Sequence, residues 1–101
     1  MPTKILIERK IKPGSLGKLL ELSMKLRAEA VRQPGYICGE TLVSAEHDDE
    51  YLVISTWRHL EDWIAWLNNP NRAAIAKEME KLLVEPPKSK AYVDLWSTGA
   101  P

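Results

Sequence analysis

The chain has one cysteine, no long apolar run and no excess of charge of either sign. With Cys38 alone among 101 residues, an intrachain disulfide and any zinc or iron–sulfur site built on several cysteines are excluded. No apolar stretch approaches the roughly 20 residues that span a bilayer. The 14 basic residues balance the 14 acidic ones and are scattered. This pattern does not indicate a partner among nucleic acids or membranes.

The composition is otherwise that of an ordinary globular domain, 45% hydrophobic and 28% charged. Residues 1–5 lack the charged region and apolar run of a signal peptide, so we expect a cytoplasmic protein. We see no internal repeat, linker or low-complexity segment. The length therefore predicts one domain over residues 1–101, with its core at about 3–96.

Hydrophobic periodicity predicts the secondary structure. Apolar residues alternate over residues 3–12, a strand pattern that places Arg9 in the row of Ile5, Ile7 and Ile11. A helix is predicted to follow Ser15, with an apolar stripe of Leu16, Leu19, Leu20, Leu26, Ala30 and Val31. The remaining predictions are strands at 36–45, 51–57 and 88–96, helices at 59–68 and 70–84, and a frayed tail at 97–101.

The order β-α-β-β-α-β predicts an α+β fold, a ferredoxin-like antiparallel sheet with helices on one face. The third strand is apolar on both sides, with Val53 and Trp57 on one and Leu52 and Ile54 on the other. A sheet face that meets water should be polar. We therefore expect a second copy to cover this face, as a homodimer with the sheets packed together. A monomer with a patchy face is the alternative.

Three of the four tryptophans fall between residues 57 and 66. Trp63 lies within the apolar stripe of its helix, which favours core packing. Trp66 lies at the edge of that stripe and fits a core or a cavity wall equally. Trp57 ends its strand and could close the core or face a pocket.

Two arginines interrupt apolar rows. Arg72 shares a helical stripe with Ile75 and Met79, where a guanidinium needs an anion, a carbonyl or a route to water. It could hold a phenolate or carboxylate, or it could snorkel to solvent as a first-turn arginine. For Arg9, the alternatives are the same kind of anion or a salt bridge at the end of its strand.

Other reactive side chains have no visible partner in the sequence. His59 and His47 could act as bases near neutral pH, but surface positions are favoured. The acidic run after His47 is interpreted as a solvated turn rather than a metal site. Cys38 is expected to pack as a small hydrophobic residue.

Several segments resemble the antibiotic biosynthesis monooxygenase family over roughly residues 3–96. The segments that carry the resemblance are residues 7–14, 33–36 and 51–57, with Trp63-Ile64-Ala65-Trp66 and Asn69-Pro70. The resemblance implies a dimeric α+β barrel. The family spans cofactor-independent oxygenases, heme-degrading oxygenases, isomerases and proteins without known activity.

The heme-degrading branch can be compared residue by residue. Its members use an asparagine on the first strand, a tryptophan in the short helix and a histidine on the next helix. Trp66 matches, but the other two positions hold Ile7 and Ala76, and no histidine occurs between residues 60 and 101. The usual imidazole ligand of the iron is missing, so we expect no heme.

The cofactor-independent branch is similar to this chain in a looser way. Such enzymes oxidise phenols or hydroquinones, and the deprotonated substrate itself supplies the electrons. The protein then needs a dry pocket and groups that favour the phenolate. On this resemblance the candidate catalytic residues are Arg72 and Arg9, and the candidate substrate-binding residues are Trp66, Trp57 and Tyr51. No cofactor or metal is expected.

Two other functions stay open at this point. One is a non-catalytic dimeric module that binds a small aromatic or lipid-like ligand. The other is isomerase-type acid–base chemistry on a small carbonyl compound, which would need His59 or a buried carboxylate such as Glu40 in the cavity. A metal or flavin enzyme is disfavoured because no ligand set or phosphate-binding loop occurs.

Overall fold

A computed structural model describes residues 2–95 and confirms the predicted ferredoxin-like α+β fold. Its elements are β1 (Thr3–Lys10), α1 (Leu16–Ala30), β2 (Tyr36–Val43), β3 (Glu50–Trp57), α2 (Leu60–Leu67), α3 (Pro70–Glu80) and β4 (Lys88–Val93). The prediction of α3 as far as Val84 was wrong, since the helix ends at Glu80. Trp96 and the predicted frayed tail lie outside the described residues. None of the helices in the described part is long and apolar enough to cross a membrane.

The four strands form one antiparallel sheet in the order β2-β3-β1-β4. In the centre, Ile7 of β1 lies opposite Val53 of β3. The pairing of β2 with β3 is irregular between Tyr36 and Cys38, so β2 carries a bulge. β2 and β4 are the edges of the sheet.

The core lies between the sheet and the helices and has two parts. One cluster joins the inward face of β1 and β3 to α2; it contains Ile5, Ile7, Ala30, Trp57, Trp63 and Trp66. The other joins the far end of β1 to α1 and the end of α3; it contains Ile11, Leu19, Leu22, Met79 and Leu83. Arg9 lies on β1 between the last isoleucine of the first cluster and the isoleucine of the second. The strand therefore carries a cation into the middle of the core.

The predicted apolar stripe of α1 was partly wrong. Leu19 and Ala30 are buried as predicted, but Leu16 and Leu20 are exposed and Leu22 takes their place. The spacing 19-22-26-30 follows one line along the helix, and this line faces the sheet and α3. Apolar residues on two neighbouring lines fit a 3.6-residue period almost equally, so only the tertiary packing separates them.

The ends of α3 and the turn before β2 follow from local chemistry. Asn69 caps α3, its Oδ1 accepting a hydrogen bond from the Asn71 backbone N–H at 2.8 Å, and Pro70 follows at the first helical position. Ser15 holds the cap position of α1 as predicted, but its side chain makes no capping hydrogen bond. Gly35 adopts φ +82° in the turn between α1 and β2.

Gly35 also ties this turn to the entrance of α2. Its carbonyl accepts a hydrogen bond from the Arg58 backbone N–H at 2.7 Å. A Cβ atom on residue 35 would collide with the Asp62 side chain on α2. Two independent constraints, the backbone conformation and the close approach of α2, therefore require glycine here.

We predict that Gly35→Ala destabilises the fold by about 2 kcal/mol or more, because both constraints are violated. The matched control is Gly17→Ala in α1, where a Cβ meets no atom within 4 Å. That variant should be neutral or stabilised by up to about 1 kcal/mol through helix propensity. Thermal unfolding measures both, and equal melting temperatures for the two variants would contradict the prediction.

Candidate functional site

A cavity of about 60 Å³ lies between the helices and the inward face of the sheet. Its wall is contributed by all three helices and by β1, β2 and β3. The lining residues are Ile7, Arg9, Ser23, Leu26, Arg27, Ala30, Tyr36, Gly39, Thr41, Val53, Ser55, Trp57, Trp63, Trp66 and Arg72. Arg27 and Thr41 are exposed to solvent, so they form the rim. The other residues of the wall are buried or half-buried.

Three indoles form the apolar wall. Trp57 is 1% exposed, and its Nε1 donates a hydrogen bond to Ser55 Oγ at 3.0 Å. This bond satisfies the one polar group of a fully buried indole. Trp57 also meets the Tyr36 ring edge to face, with the ring centroids 5.3 Å apart, and Trp63 at 6.0 Å. The wall is thus held in a fixed arrangement by β3, the start of β2 and α2.

Arg72 reaches this wall from the first turn of α3, which Asn69 and Pro70 anchor. Its guanidinium carbon lies 5.3 Å from the centroid of the Trp63 ring, within the range of a cation–π interaction. Its Nε is buried, with no hydrogen-bond partner among the described residues. Arg72 therefore lines the cavity and carries one buried donor that no described residue accepts.

Arg9 brings a second cation to the same cavity from β1. It is only 9% exposed. Burial, and after it the positive charge of Arg72, lowers the pKa of Arg9 to about 10. Burial also lowers the pKa of Arg72. Two guanidinium groups are therefore close enough to repel each other in a poorly solvated place, and both remain charged at neutral pH.

The salt bridge that was one of the two alternatives for Arg9 is not seen in the described part of the chain. Over residues 2–95 the ion pairs are three surface contacts between a lysine and a glutamate three residues away. None of the fifteen residues around the cavity is acidic. The cavity therefore carries formal positive charge without a carboxylate to balance it, and this arrangement favours an anionic ligand.

The structure brings together four of the five candidate residues, Arg9, Arg72, Trp57 and Trp66, around one cavity. Tyr51 is the exception. It packs beside the second core cluster and lines a separate groove of about 500 Å³ at the end of the sheet, where Arg9 is also found. The predicted grouping of Tyr51 with the tryptophans is therefore not seen, although the roles of all five residues stay predictions.

The other reactive side chains lie away from the cavity. His59 is at the start of α2, exposed, without a capping hydrogen bond from its side chain, and His47 is in the exposed turn before β3. Glu40 is exposed and pairs with Ile54 on the sheet face opposite the helices, so it is not the buried carboxylate that acid–base chemistry would need. Cys38 is exposed, so the expectation that it packs as a small hydrophobic residue was wrong.

Sequence reasoning missed the polar part of the wall. Ser55 could have been predicted from the sequence, because it lies between Val53 and Trp57 in the row of side chains on the inward face of β3. Arg27 is a second missed residue, and its Nη2 donates a hydrogen bond to Thr41 Oγ1 at 3.2 Å across the rim. The position of Tyr36 depends on Gly39, since a Cβ there would lie 2.6 Å from the tyrosine hydroxyl oxygen.

The wall brings guanidiniums and indoles to one cavity, and residues 2–95 contain no group of three histidine, cysteine, aspartate or glutamate side chains placed to hold a metal ion. No curated protein matches the sequence.

Solved structures share the fold across nearly the whole chain. A protein from Nitrosomonas europaea, proposed to be an antibiotic biosynthesis monooxygenase, superposes with a TM-score of 0.87 at 17% identity and covers 97% of this chain and 94% of its own. SnoaB, a cofactor-independent oxygenase from Streptomyces nogalater, has a TM-score of 0.85 at 15% identity, with 96% of each chain covered. A conserved protein from Methanosarcina mazei has a TM-score of 0.86 at 13% identity, with 91% of each chain covered.

At these identities the superpositions establish the fold alone. The sequence itself carries the assignment, because the model of the antibiotic biosynthesis monooxygenase family matches residues 2–78. This match covers most of the chain and includes every residue of the cavity wall. The protein is a member of the antibiotic biosynthesis monooxygenase family.

Proposed function

We propose that this protein is a cofactor-independent monooxygenase that oxidises a small phenol or quinol in the cavity between the sheet and the helices. Membership of the family and the common fold with SnoaB support an oxygenase. The observation that carries the proposal is a pair of arginines, buried Arg9 and half-buried Arg72, that line an indole-walled cavity with no carboxylate among its described lining residues.

The two cations would favour the ionised form of a bound phenol. Placing a developing phenolate against Arg9 and Arg72 relieves the repulsion between them and gives the buried Nε of Arg72 an acceptor. Charge-assisted hydrogen bonds in a site shielded from water are stronger than the same bonds in bulk solvent. The phenol pKa therefore falls on binding, and no separate base is needed near the cavity.

The ionised substrate is the reductant. A hydroquinone anion gives electrons to dioxygen, a carbon–oxygen bond forms on the ring, and the oxygen–oxygen bond then breaks. One oxygen atom remains on the product, a hydroxyquinone, and the other leaves as water, so hydroquinone and dioxygen balance hydroxyquinone and water. Trp57, Trp63 and Trp66 would hold the ring and keep bulk water away from the anion.

The cavity must widen when the ring enters. Its volume of about 60 Å³ is well below the roughly 150 Å³ of an engineered apolar cavity that binds benzene. The rim is the part that can move, because Arg27 and Thr41 are exposed there and are joined by one hydrogen bond. Trp57 and Trp63, which contact each other, form the fixed wall.

We predict that metal-free protein consumes oxygen with a panel of hydroquinones, and that Arg72→Met lowers kcat/KM by about tenfold or more. The control is Arg58→Met, because Arg58 is exposed and outside the cavity wall. An oxygen electrode measures the rates. If the folded protein binds the quinols but takes up no oxygen, the oxygenase is ruled out and a ligand-binding module remains.

We also predict that Arg72→Met raises the melting temperature of the ligand-free protein. The folded-state pKa of Arg9 lies below its ordinary value, so its charge costs stability at every pH below about 10. Burial, the larger cause of that shift, remains in this variant, so replacing Arg72 recovers only the repulsion between the two cations and the desolvation of Arg72 itself, about 2 kcal/mol, against about 1 kcal/mol for the lost cation–π contact. A gain of roughly 5 °C is expected by calorimetry at neutral pH. If Arg72→Met melts at a lower temperature than the unchanged protein while Arg58→Met melts at the same temperature, the two unpaired cations do not destabilise the ligand-free fold and the prediction is wrong.

We further propose that the protein is a homodimer whose two sheets pack through their outer faces. Leu6, Leu52 and Ile54 form a half-buried apolar centre on the sheet face that no helix within residues 2–95 covers. An exposed apolar face on a sheet is typical of an interface. The typical dimerisation of the family supports the same assembly.

The charges around that centre fit a two-fold arrangement. Acidic Glu40 lies on the β2 half of the outer face, and basic Lys88 and Lys90 lie on the β4 half. A two-fold axis that passes through the centre and runs along the strands places the acidic half of one copy against the basic half of the other. The same patch is thus complementary to itself.

Ile54→Glu is therefore expected to give a monomer at micromolar concentration, because it places a charge at the centre of both faces. Met24→Glu is the control, since Met24 is 74% exposed on α1, away from the sheet. Sedimentation velocity reports the mass of each. If the unchanged protein is a monomer, or if the Ile54→Glu variant is still a dimer, the proposed sheet-to-sheet dimer is wrong.

A further inference from the structure

We propose that the ligand of this cavity is an aromatic dianion, with a phenolic hydroxyl at one end and a carboxylate at the other, and that Arg27 recognises the carboxylate. The inference rests on the proposed function, because it assigns the phenolic end to Arg9 and Arg72. It goes further by naming a second acidic group and the residue that selects it.

The first support is the charge of the wall. Three arginines and no aspartate or glutamate line the cavity. A phenolate alone offsets one of these three charges. A ligand with a second negative group offsets two, so the electrostatic potential of the site favours a dianion over a monoanion of the same size.

The second support is the placement of the cations at two depths. Arg9 is almost completely buried, and Arg72 is half-buried against the Trp63 ring. Arg27 is exposed, at the rim. A ring held between the indoles would thus have cations both at its inner end and at the mouth.

The third support is the hydrogen-bonding capacity of Arg27. Its Nη2 donates to Thr41 Oγ1, which uses one of the five N–H donors of a guanidinium. Within residues 2–95 no carboxylate forms an ion pair with it. Ser23, on the same helix, and Thr41 add hydroxyls to the wall close to the rim. A carboxylate at the mouth would meet a planar donor suited to binding both of its oxygens.

Binding of the ligand carboxylate to Arg27 would then also open the mouth of the cavity. The bond from Arg27 to Thr41 connects α1 to β2 across the mouth of a cavity that is too small for a ring. An incoming carboxylate is a stronger acceptor than the threonine hydroxyl and can replace it. The ligand that opens the mouth is therefore the one that carries the acidic group.

The test compares para-hydroxybenzoate with para-hydroxybenzamide, which have the same ring, phenol and size and differ in the charge at one end. Binding of each is measured by titration calorimetry near neutral pH. The proteins are the unchanged chain, Arg27→Gln, and the control Arg32→Gln, whose exposed arginine lies just beyond the same helix and outside the cavity wall.

We expect the unchanged protein and Arg32→Gln to bind the acid at least about fivefold more tightly than the amide, as one partly exposed charged contact supports. In Arg27→Gln the ratio should fall several-fold, to the weaker preference that Arg9 and Arg72 still give, with the amide affinity unchanged. An equal affinity for the two compounds in the unchanged protein overturns the inference but leaves the phenolic site intact. A ratio that is unchanged in Arg27→Gln overturns the role of Arg27. If the folded protein binds neither compound, the inference and the proposed phenolic site both fail.

Discussion

The placement of Arg9 on the inward face of β1 is the constraint on which the site depends. The residues before and after it in that row are isoleucines, and the cavity wall above it consists of indoles and hydroxyls rather than carboxylates. Desolvating a guanidinium beside a second one costs free energy that the surrounding packing must supply. The sheet holds Arg9 by its pairing with β3, and the capped first turn of α3 holds Arg72. The positive charge of the cavity is therefore organised before any ligand arrives.

Much of the fold could be predicted because local signals agree with the final packing. The alternation along β1, the Pro34-Gly35 turn and the Asn69-Pro70 start of α3 each correspond to an element boundary in the structure. The errors arise where several packings satisfy the same pattern. Leu20 and Leu22 are both plausible inward residues of α1, and only the contact with the sheet and α3 selects Leu22. Likewise, Cys38 lies on a bulged edge strand, and only the tertiary structure decides that its side chain is exposed rather than buried.

The sequence allowed the types of residue in the candidate site to be predicted, but not the full set of residues that meet there. A charged residue in an apolar row is visible in the sequence, so Arg9 and Arg72 can be identified without knowledge of their contacts. Tyr51, Val53 and Trp57 lie on the same face of β3. Tyr51 is near the start of the strand, however, and this position places it beside the second core cluster. The alternation of side chains along a strand predicts which face of the sheet a residue occupies, whereas its position along the strand decides which cavity it lines. The rim contact between Arg27 and Thr41 joins elements distant in sequence, so no local pattern could reveal it.

The irregular edges of the sheet bear on how the protein avoids unwanted growth. A regular edge strand offers a row of free backbone donors and acceptors to any other extended chain. Here the bulge between Tyr36 and Cys38 interrupts the ladder of β2, and β4 follows Pro86-Pro87 and carries exposed Lys88 and Lys90. A strand arriving at either side would meet a broken hydrogen-bonding row or a pair of solvated charges. Such edges oppose the open-ended strand addition that leads to fibrils, and they leave the broad faces as the surfaces suited to specific contacts.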